Sequence, residues 1–258
     1  YIYNGFDTSA FEPPSVFTEG KRVVYIGAMV PAKGFHVLAR VWKDVIAEVP
    51  DAKLIVIGSA RVYDEDAELG KWGVAHENYE ASHIRPYLSD GDGHPIESVE
   101  FKGLLGKEKI PLMQKASVGV VNPSGKSENC PGSAIEFQSA GTPVVSNAYR
   151  GLLDTVQHGR TGLLGSESEI AENIVALLKN PGRSREMGRA GIKWVKHRFS
   201  FESVCQEWVN LFEAIQNGEP VQNNYPLVNL SNNLKYAREG MRLLKIALPG
   251  GYNIPSIY

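Results

Sequence analysis

Two glutamates, Glu128 and Glu136, are separated by seven residues in a segment that is rich in small side chains. Glu128 follows the apolar run 118–121, whereas Glu136 lies among the apolar residues of a predicted helix. A carboxylate in apolar surroundings is costly unless a partner binds it. Pro131 and Gly132 lie where that helix would begin, and the free N–H groups of a helix start attract anions. Hydroxyl-accepting carboxylates beside a phosphate-attracting helix end predict a site for a nucleotide-sugar.

Both glutamates also fit a purely structural interpretation. In that interpretation Glu128 is an exposed loop residue, and Glu136 is a residue at the core edge with a salt-bridge partner. In the binding interpretation, the Glu136 side chain tilts back toward the helix start, where the N–H groups of Gly132 and Ser133 have no internal acceptor. A diphosphate would then dock on those groups, with a ribose diol on Glu136 and a sugar diol on Glu128.

A second signal is the segment 27–34, in which Gly27 ends a predicted strand and Lys33 and Gly34 start a predicted helix. The helix dipole slightly disfavours a lysine at this position, so its presence favours a functional role in neutralising a phosphate. The alternative is an exposed lysine without a ligand. The segment lacks both the Gly-x-Gly-x-x-Gly fingerprint and the phosphate-loop Gly-Lys-Ser/Thr, which argues against a nicotinamide dehydrogenase and a phosphate-loop NTPase.

Short β-branched runs alternate with amphipathic segments along most of the chain, and this pattern predicts the order of the elements. Strands are predicted at 23–26, 53–57, 99–101, 118–121, 143–145 and 161–164, and helices at 34–49, 107–116 and 131–140. Three more helices are predicted between Ser168, taken as an N-cap, and Asn217. Continuous apolar strands between helices predict a Rossmann-like three-layer α/β/α fold with a mostly parallel sheet, followed by C-terminal helices.

A long polar insert at 58–99 contains two acidic runs, 64–66 and 90–92. Either run could be interpreted as a metal-binding Asp-x-Asp. Neither directly follows a strand, and the second does not continue into a calcium-loop pattern. We therefore interpret both as solvated surface.

The composition excludes several classes of protein. The net charge of −2 gives no electrostatic case for nucleic acid as a partner. The two cysteines, Cys130 and Cys205, are far apart, which favours a reducing compartment over a disulfide scaffold. No apolar stretch is long enough to span a bilayer.

The tail, 218–258, begins with Gly218-Glu219-Pro220 and contains a predicted amphipathic helix at 231–247. Its basic residues could lie on an anionic membrane surface, which would make a peripheral membrane contact. We favour the alternative, in which the helix packs against protein and its charges are solvated.

Together these segments resemble the C-terminal, donor-binding domain of retaining GT-B glycosyltransferases of the family 4, or group 1, type. The run from Glu128 through Glu136 to Val145 resembles the family's donor-binding motif, and Gly27 to Gly34 resembles its first strand-to-helix loop. Residues 151–164 resemble the segment of that family that comes next. Residues 3–7 resemble the linker that opens the C-terminal domain, and residues 197–200 resemble the start of its closing helix. The resemblance covers about residues 1–217.

The resemblance implies a nucleotide-sugar donor, with UDP favoured over GDP, and sugar transfer with retention in polysaccharide or glycoconjugate synthesis. It implies catalytic roles for Lys33 and Glu128, and it places the base near Gly103 and Leu104. No metal and no other cofactor is expected, because Lys33 and the helix end would hold the diphosphate. The full set of donor-binding residues that it implies is Gly27, Lys33, Gly103, Leu104, Glu128, Asn129, Cys130, Pro131, Gly132, Ser133 and Glu136.

The resemblance also implies a domain organisation. Residues 1–20 would be an interdomain linker, 21–217 the donor-binding domain, and 218–258 a tail that packs on an N-terminal acceptor domain. We expect that acceptor domain to lie outside this chain, so that the chain binds donor but transfers sugar poorly alone. The expected location is cytoplasmic, with the inner membrane face as an option.

Three departures from the family pattern affect the expected site. Ala28 stands where an arginine often follows the first glycine, so one phosphate contact is lost or comes from elsewhere. The segment 130–132 replaces the usual Phe-Gly and alters the contour around the sugar. Asp154 replaces a glutamate. Two alternatives remain open: a GT-B sugar-nucleotide epimerase, and a non-catalytic nucleotide-sugar-binding domain.

Overall fold

The computed structural model describes residues 2–11, 20–126 and 128–220, which belong to one compact unit. The predicted helix at 231–247 and Ser127 lie outside the described residues. Among the helices of the described part, each is too short or too polar to cross a membrane.

Six strands form one parallel sheet in the order β3-β2-β1-β4-β5-β6. Apolar residues, many of them β-branched, fill most strand positions, as expected for strands that are buried on both faces. The strand order reverses between β1 and β4, and ligands bind outside the carboxyl ends of the strands at such a point. The predicted Rossmann-like fold is therefore confirmed. The strands are β1 (Arg22–Ile26), β2 (Lys53–Ile57), β3 (Val99–Gly103), β4 (Val118–Val120), β5 (Val144–Asn147) and β6 (Gly162–Gly165).

Helices cover both faces of the sheet, because alternate strand residues point to opposite sides. Val23 and Tyr25 pack in one apolar cluster with α1, α2, α3 and α7, whereas Val24 packs in another with α4, α5 and α6. The helices are α1 (Phe35–Glu48), α2 (Glu77–His83), α3 (Arg85–Leu88), α4 (Lys109–Gln114), α5 (Gly132–Ser139), α6 (Leu152–Thr155), α7 (Ile170–Lys179), α8 (Pro181–Arg198) and α9 (Phe201–Gln216). Single turns of 3₁₀ helix lie at Thr8–Ala10, Pro31–Lys33, Ala60–Val62 and Glu167–Glu169.

The insert at 58–99 is folded: its two acidic runs are exposed, as predicted, whereas its centre is buried. Ile84 and Leu88 are fully buried in the core beside α1. The Glu80 carboxylate is also fully buried and accepts the backbone N–H groups of Trp72, Val74 and Ala75 at 2.7–3.4 Å. The sequence pattern missed this because a buried glutamate that is satisfied by backbone N–H groups looks, in sequence, like one on a solvated surface.

The acidic runs of the insert close turns through their own backbone. Asp64 accepts the N–H of Asp66, and Asp90 accepts those of Asp92 and His94. Within the described residues, no group of three or more His, Cys, Asp or Glu side chains could hold a metal ion.

The closing helices begin close to where they are predicted, with one correction. Ser166, not Ser168, forms the capping box, with Glu169, at the turn before α7. Ser200 caps α9, and the N-terminal segment pairs with this corner, because Phe6 donates to the carbonyl of Phe199 at 2.8 Å.

Replacing Glu80 with alanine should lower the free energy of unfolding by about 3 kcal/mol, because three buried N–H groups lose their acceptor. Urea denaturation followed by circular dichroism measures this. The matched control is Glu65→Ala in the same insert, where the side chain is exposed and the change should stay within about 0.5 kcal/mol. Equal effects of the two substitutions would contradict the assigned role.

Candidate functional site

A cavity of about 210 Å³ lies at the carboxyl ends of β1 and β4, where the strand order reverses. We call it the Lys33 cavity. It brings together seven of the residues that the sequence singles out, although they come from segments about a hundred positions apart. Those residues are Gly27, Lys33, Glu128, Cys130, Pro131, Gly132 and Ser133.

Lys33 and Glu128 are direct partners in this cavity. The ammonium nitrogen of Lys33 lies 2.6 Å from Glu128 Oε1, and the Glu128 residue is only 6% exposed. A carboxylate with so little access to water needs a cation or hydrogen-bond donors to remain charged. The interpretation of Glu128 as an exposed loop residue is therefore wrong.

Asn122 is a site residue that the sequence analysis missed. Its side-chain amide donates to Glu128 Oε1 at 2.9 Å, to the carbonyl of Lys126 at 2.7 Å and to the carbonyl of Ala32 at 3.2 Å. It therefore joins the loop of Lys33 to the loop of Glu128. Its φ of +33° is unusual for a residue other than glycine, and such backbone strain clusters at functional sites.

Two glycines allow the loops around the cavity to approach each other closely. A Cβ at Gly34 would lie 2.6 Å from the backbone nitrogen of Ser124, and the φ of Gly34 is +72°. A Cβ at Gly151 would lie 1.7 Å from the carbonyl oxygen of Asn129. The N–H of Gly151 also donates to the Glu128 carbonyl at 3.2 Å, so this contact fixes the loop that carries the carboxylate.

The first turn of α5 presents unpaired N–H groups to the same cavity. Pro131, the N-cap residue, makes no side-chain cap bond, and its carbonyl accepts the N–H groups of Ala134 and Ile135. Among the described residues, the N–H groups of Gly132 and Ser133 have no acceptor, as the sequence predicts. This end of α5 carries the partial positive charge that favours an anion.

Two tyrosines that the sequence analysis did not select hold the loop of Lys33. Tyr25 donates its hydroxyl to the Lys33 carbonyl at 2.9 Å. The Tyr79 hydroxyl, from the insert, accepts the N–H of His36 at 3.1 Å and lies 3.0 Å from His36 Nδ1. It therefore satisfies a free N–H in the first turn of α1. Burial raises the pKa of Tyr79 to about 12, so the hydroxyl keeps its proton.

Glu136 lies in a neighbouring cavity of about 370 Å³, which we call the Glu136 cavity. Both of its carboxylate oxygens lie 2.7 Å from the ammonium nitrogen of Lys109, which also lines this cavity. Lys109 is therefore the salt-bridge partner that the structural interpretation of Glu136 predicts. The side chains of Lys109 and Glu136 nevertheless keep 22% and 25% exposure, so both remain open to a ligand.

The remaining predicted residues lie around these cavities. Leu104 is exposed, and the next two residues, Leu105 and Gly106, line the Glu136 cavity. The Gly103 carbonyl accepts the N–H of Gly58 at 2.8 Å, which ties the end of β3 to the end of β2. Asn129 is exposed, and its backbone, not its side chain, makes the contact with Gly151.

The family described as "Glycosyl transferases group 1" matches residues 20–180 of this chain. The chain belongs to the group 1 glycosyltransferases. The match covers the whole sheet and both loops of the Lys33 cavity, which confirms the resemblance found in the sequence.

Curated relatives of this group 1 glycosyltransferase chain are longer proteins. It is 26% identical over 224 residues to the GDP-mannose-dependent α-(1-6)-phosphatidylinositol monomannoside mannosyltransferase of Mycobacterium tuberculosis. That alignment covers 80% of this chain and 53% of the relative. The capsular polysaccharide biosynthesis glycosyltransferase CapM of Staphylococcus aureus is 24% identical, with coverages of 74% and 45%. The chain thus spans about half the length of the curated relatives it matches.

Solved structures share the fold at lower identity. HepE from Anabaena in complex with UDP-glucose superposes with a TM-score of 0.64 at 20% identity, covering 83% of this chain and 57% of HepE. A point mutant of TarM from S. aureus, solved with UDP and other ligands, also gives a TM-score of 0.64, at 23% identity and with coverages of 82% and 38%. These similarities confirm the GT-B-type fold.

Cys130 should react slowly with iodoacetamide, because burial raises the pKa of its thiol and the nearby charges of Asp154 and Glu128 raise it further. The exposed Cys205 on α9 is an internal reference. At pH 8 we expect Cys130 to be modified at least about tenfold more slowly than Cys205, with a rate that still increases above pH 9. Single-cysteine variants and mass spectrometry measure both rates. Equal rates would show that Cys130 is not enclosed.

Proposed function

We propose that this chain binds a nucleoside diphosphate sugar and forms the donor half of an enzyme that transfers the sugar with retention of configuration. One observation carries the proposal: the Lys33 ammonium, the Glu128 carboxylate and the first-turn N–H groups of α5 all face one cavity. A diphosphate requires the cation and the N–H groups, and a sugar hydroxyl requires the carboxylate.

The hydrogen-bond donors that remain available in the Lys33 cavity determine how it would bind a diphosphate. An ammonium group has three N–H donors, and Glu128 Oε1 occupies one of those of Lys33. The other two can bind phosphate oxygens, next to the free N–H groups of Gly132 and Ser133. Negative charge that develops on the departing nucleoside diphosphate would be stabilised by Lys33 and the α5 dipole. In this proposal no metal is needed to hold the diphosphate.

The nucleoside would lie over the Glu136 cavity. Lys109 uses one lone pair on each Glu136 oxygen, and the others can accept the two hydroxyls of a ribose. We favour UDP, because HepE and TarM are solved in complexes that contain UDP or UDP-glucose. GDP is the competing base, since the mycobacterial relative is GDP-mannose-dependent.

The acceptor surface, in this proposal, belongs to a further domain that pairs with this one in the longer relatives. The acceptor would be a growing polysaccharide or glycoconjugate, as the names of the mycobacterial and staphylococcal relatives indicate for those proteins. The alternative is a nucleotide-sugar-binding domain without catalysis. Slow hydrolysis of a bound donor, abolished by Lys33→Ala, would favour the enzyme.

Calorimetric titration in buffer with EDTA tests the site residue by residue. Lys33→Ala should weaken the binding of UDP by about tenfold or more, because a charge-assisted hydrogen bond to phosphate is lost. Glu136→Gln should weaken the binding of UDP itself, since an amide group replaces one of the two oxygens that would accept the ribose hydroxyls. Glu128→Gln should weaken UDP-glucose binding by about tenfold and leave UDP binding within about twofold, because in this proposal the sugar is the only part of the ligand that contacts this carboxylate.

The matched control is Lys53→Ala, which removes a lysine that is paired with Glu97 on the exposed surface. It should change every affinity less than about twofold. GDP and GDP-mannose are titrated in parallel to determine whether the site prefers a uracil or a guanine nucleotide. If Lys33→Ala and Lys53→Ala leave the affinity for every nucleotide equally unchanged, the proposed diphosphate site is wrong.

A further inference from the structure

Another cavity, of about 550 Å³, lies between α8 and the loop that leads into β6. We call it the α8 cavity. Because this loop precedes edge strand β6, it lies at the amino ends of the parallel strands, whereas the Lys33 cavity lies at the carboxyl ends of β1 and β4. The two cavities share no lining residue, so the α8 cavity is no part of the proposed donor site.

Cationic side chains dominate the lining of the α8 cavity. Arg160 comes from the loop and Arg189 and Lys193 from α8, with His197 one turn further along the helix. Glu186 is the single acidic residue of this lining. The whole chain has a net charge of −2, so this local excess of positive charge is not a reflection of its composition.

Local helix energetics do not explain this arrangement. Arg189 and Lys193 are four residues apart, which places like charges on adjacent turns of one face and destabilises a helix. The helix dipole favours cations in the last turn, but Arg189 lies in the middle of α8. Arg160 and Lys193 have no ion-pair partner among the described residues. An anionic ligand would offset this repulsion.

Trp194 adds a flat apolar surface to the cavity. Its indole N–H donates to the Thr155 carbonyl at 3.0 Å, and its ring packs edge-on against Phe199, so the ring is fixed in the wall. Arginines bind phosphate with several directed donors, and an indole face packs well against the C–H face of a sugar ring. The combination fits a ligand that has a phosphate at one end and a polyol ring at the other.

We propose that the α8 cavity binds a phosphorylated sugar or polyol, with the phosphate on Arg160, Arg189 and Lys193 and the ring against Trp194. The ligand could be a free sugar phosphate or the phosphorylated polyol headgroup of a lipid. Either source would occupy this cavity while the donor cavity is filled, because the two lie at opposite edges of the sheet.

Calorimetry at constant ionic strength and with saturating UDP tests the proposal, using glucose 6-phosphate, inorganic phosphate and glucose as probes. A flotation assay uses phosphatidylcholine vesicles with and without phosphatidylinositol. We expect wild-type protein to bind glucose 6-phosphate or the phosphatidylinositol vesicles, and not glucose. Arg160→Ala combined with Lys193→Ala should weaken that binding about tenfold or more, because two phosphate contacts are lost.

The matched control combines Arg183→Ala with Lys196→Ala. It removes the same charge from exposed positions of α8 outside the cavity, and should weaken binding less than about twofold. Trp194→Phe should weaken the binding of glucose 6-phosphate and leave the binding of inorganic phosphate unchanged. The proposal is overturned if neither glucose 6-phosphate, up to about 10 mM, nor the vesicles bind, or if the two double variants weaken binding equally. The affinity for UDP should be unchanged in both double variants. A failure of this proposal can therefore be distinguished from a failure of the proposed donor site.

Discussion

The Glu128 carboxylate is buried and needs a cation and hydrogen-bond donors to remain charged, and the loops around the Lys33 cavity are arranged to provide them. It is 6% exposed, and Lys33 and Asn122 both bind its Oε1. To bring these groups together, Asn122 adopts a positive φ, and Gly34 and Gly151 allow backbone contacts that a Cβ would block. A buried ion pair of this kind is weak evidence for a role in stability, because an apolar replacement is often equally stable, and a ligand that uses the charge would explain why the pair is there.

The requirement extends beyond the cavity. Lys33 can reach Glu128 only if its loop is held in place, and the hydroxyls of Tyr25 and Tyr79 hold the two sides of that loop. Tyr79 is placed in turn by the insert, whose turn is closed on the buried Glu80 carboxylate. The insert therefore connects the core to the loop of Lys33 through directed hydrogen bonds, and its polar composition reflects those bonds as well as solvation.

The fold was predictable because its signals are local: most strands contain a short apolar run, and glycines follow several of them. The α5 N-terminus was also predictable, since Pro131 and Gly132 mark it in the sequence. The direct pairing of Lys33 with Glu128 was not, because it depends on which strands are neighbours. Asn122 and Tyr79 carry no motif, and only the folded chain shows their contacts. The pairing of Glu136 with Lys109 confirms the structural interpretation of Glu136, and the remaining exposure of its side chain is compatible with the binding interpretation, which stays a prediction.

A protection experiment on the two cysteines tests whether the sugar nucleotide occupies the Lys33 cavity. Cys130 lines this cavity, whereas Cys205 is exposed on α9. With UDP-glucose or GDP-mannose at saturation, as established by calorimetry, we expect alkylation of Cys130 to slow at least about fivefold while that of Cys205 is unchanged. If a donor binds and the rate at Cys130 is the same with and without it, the donor lies elsewhere and the proposed site is wrong.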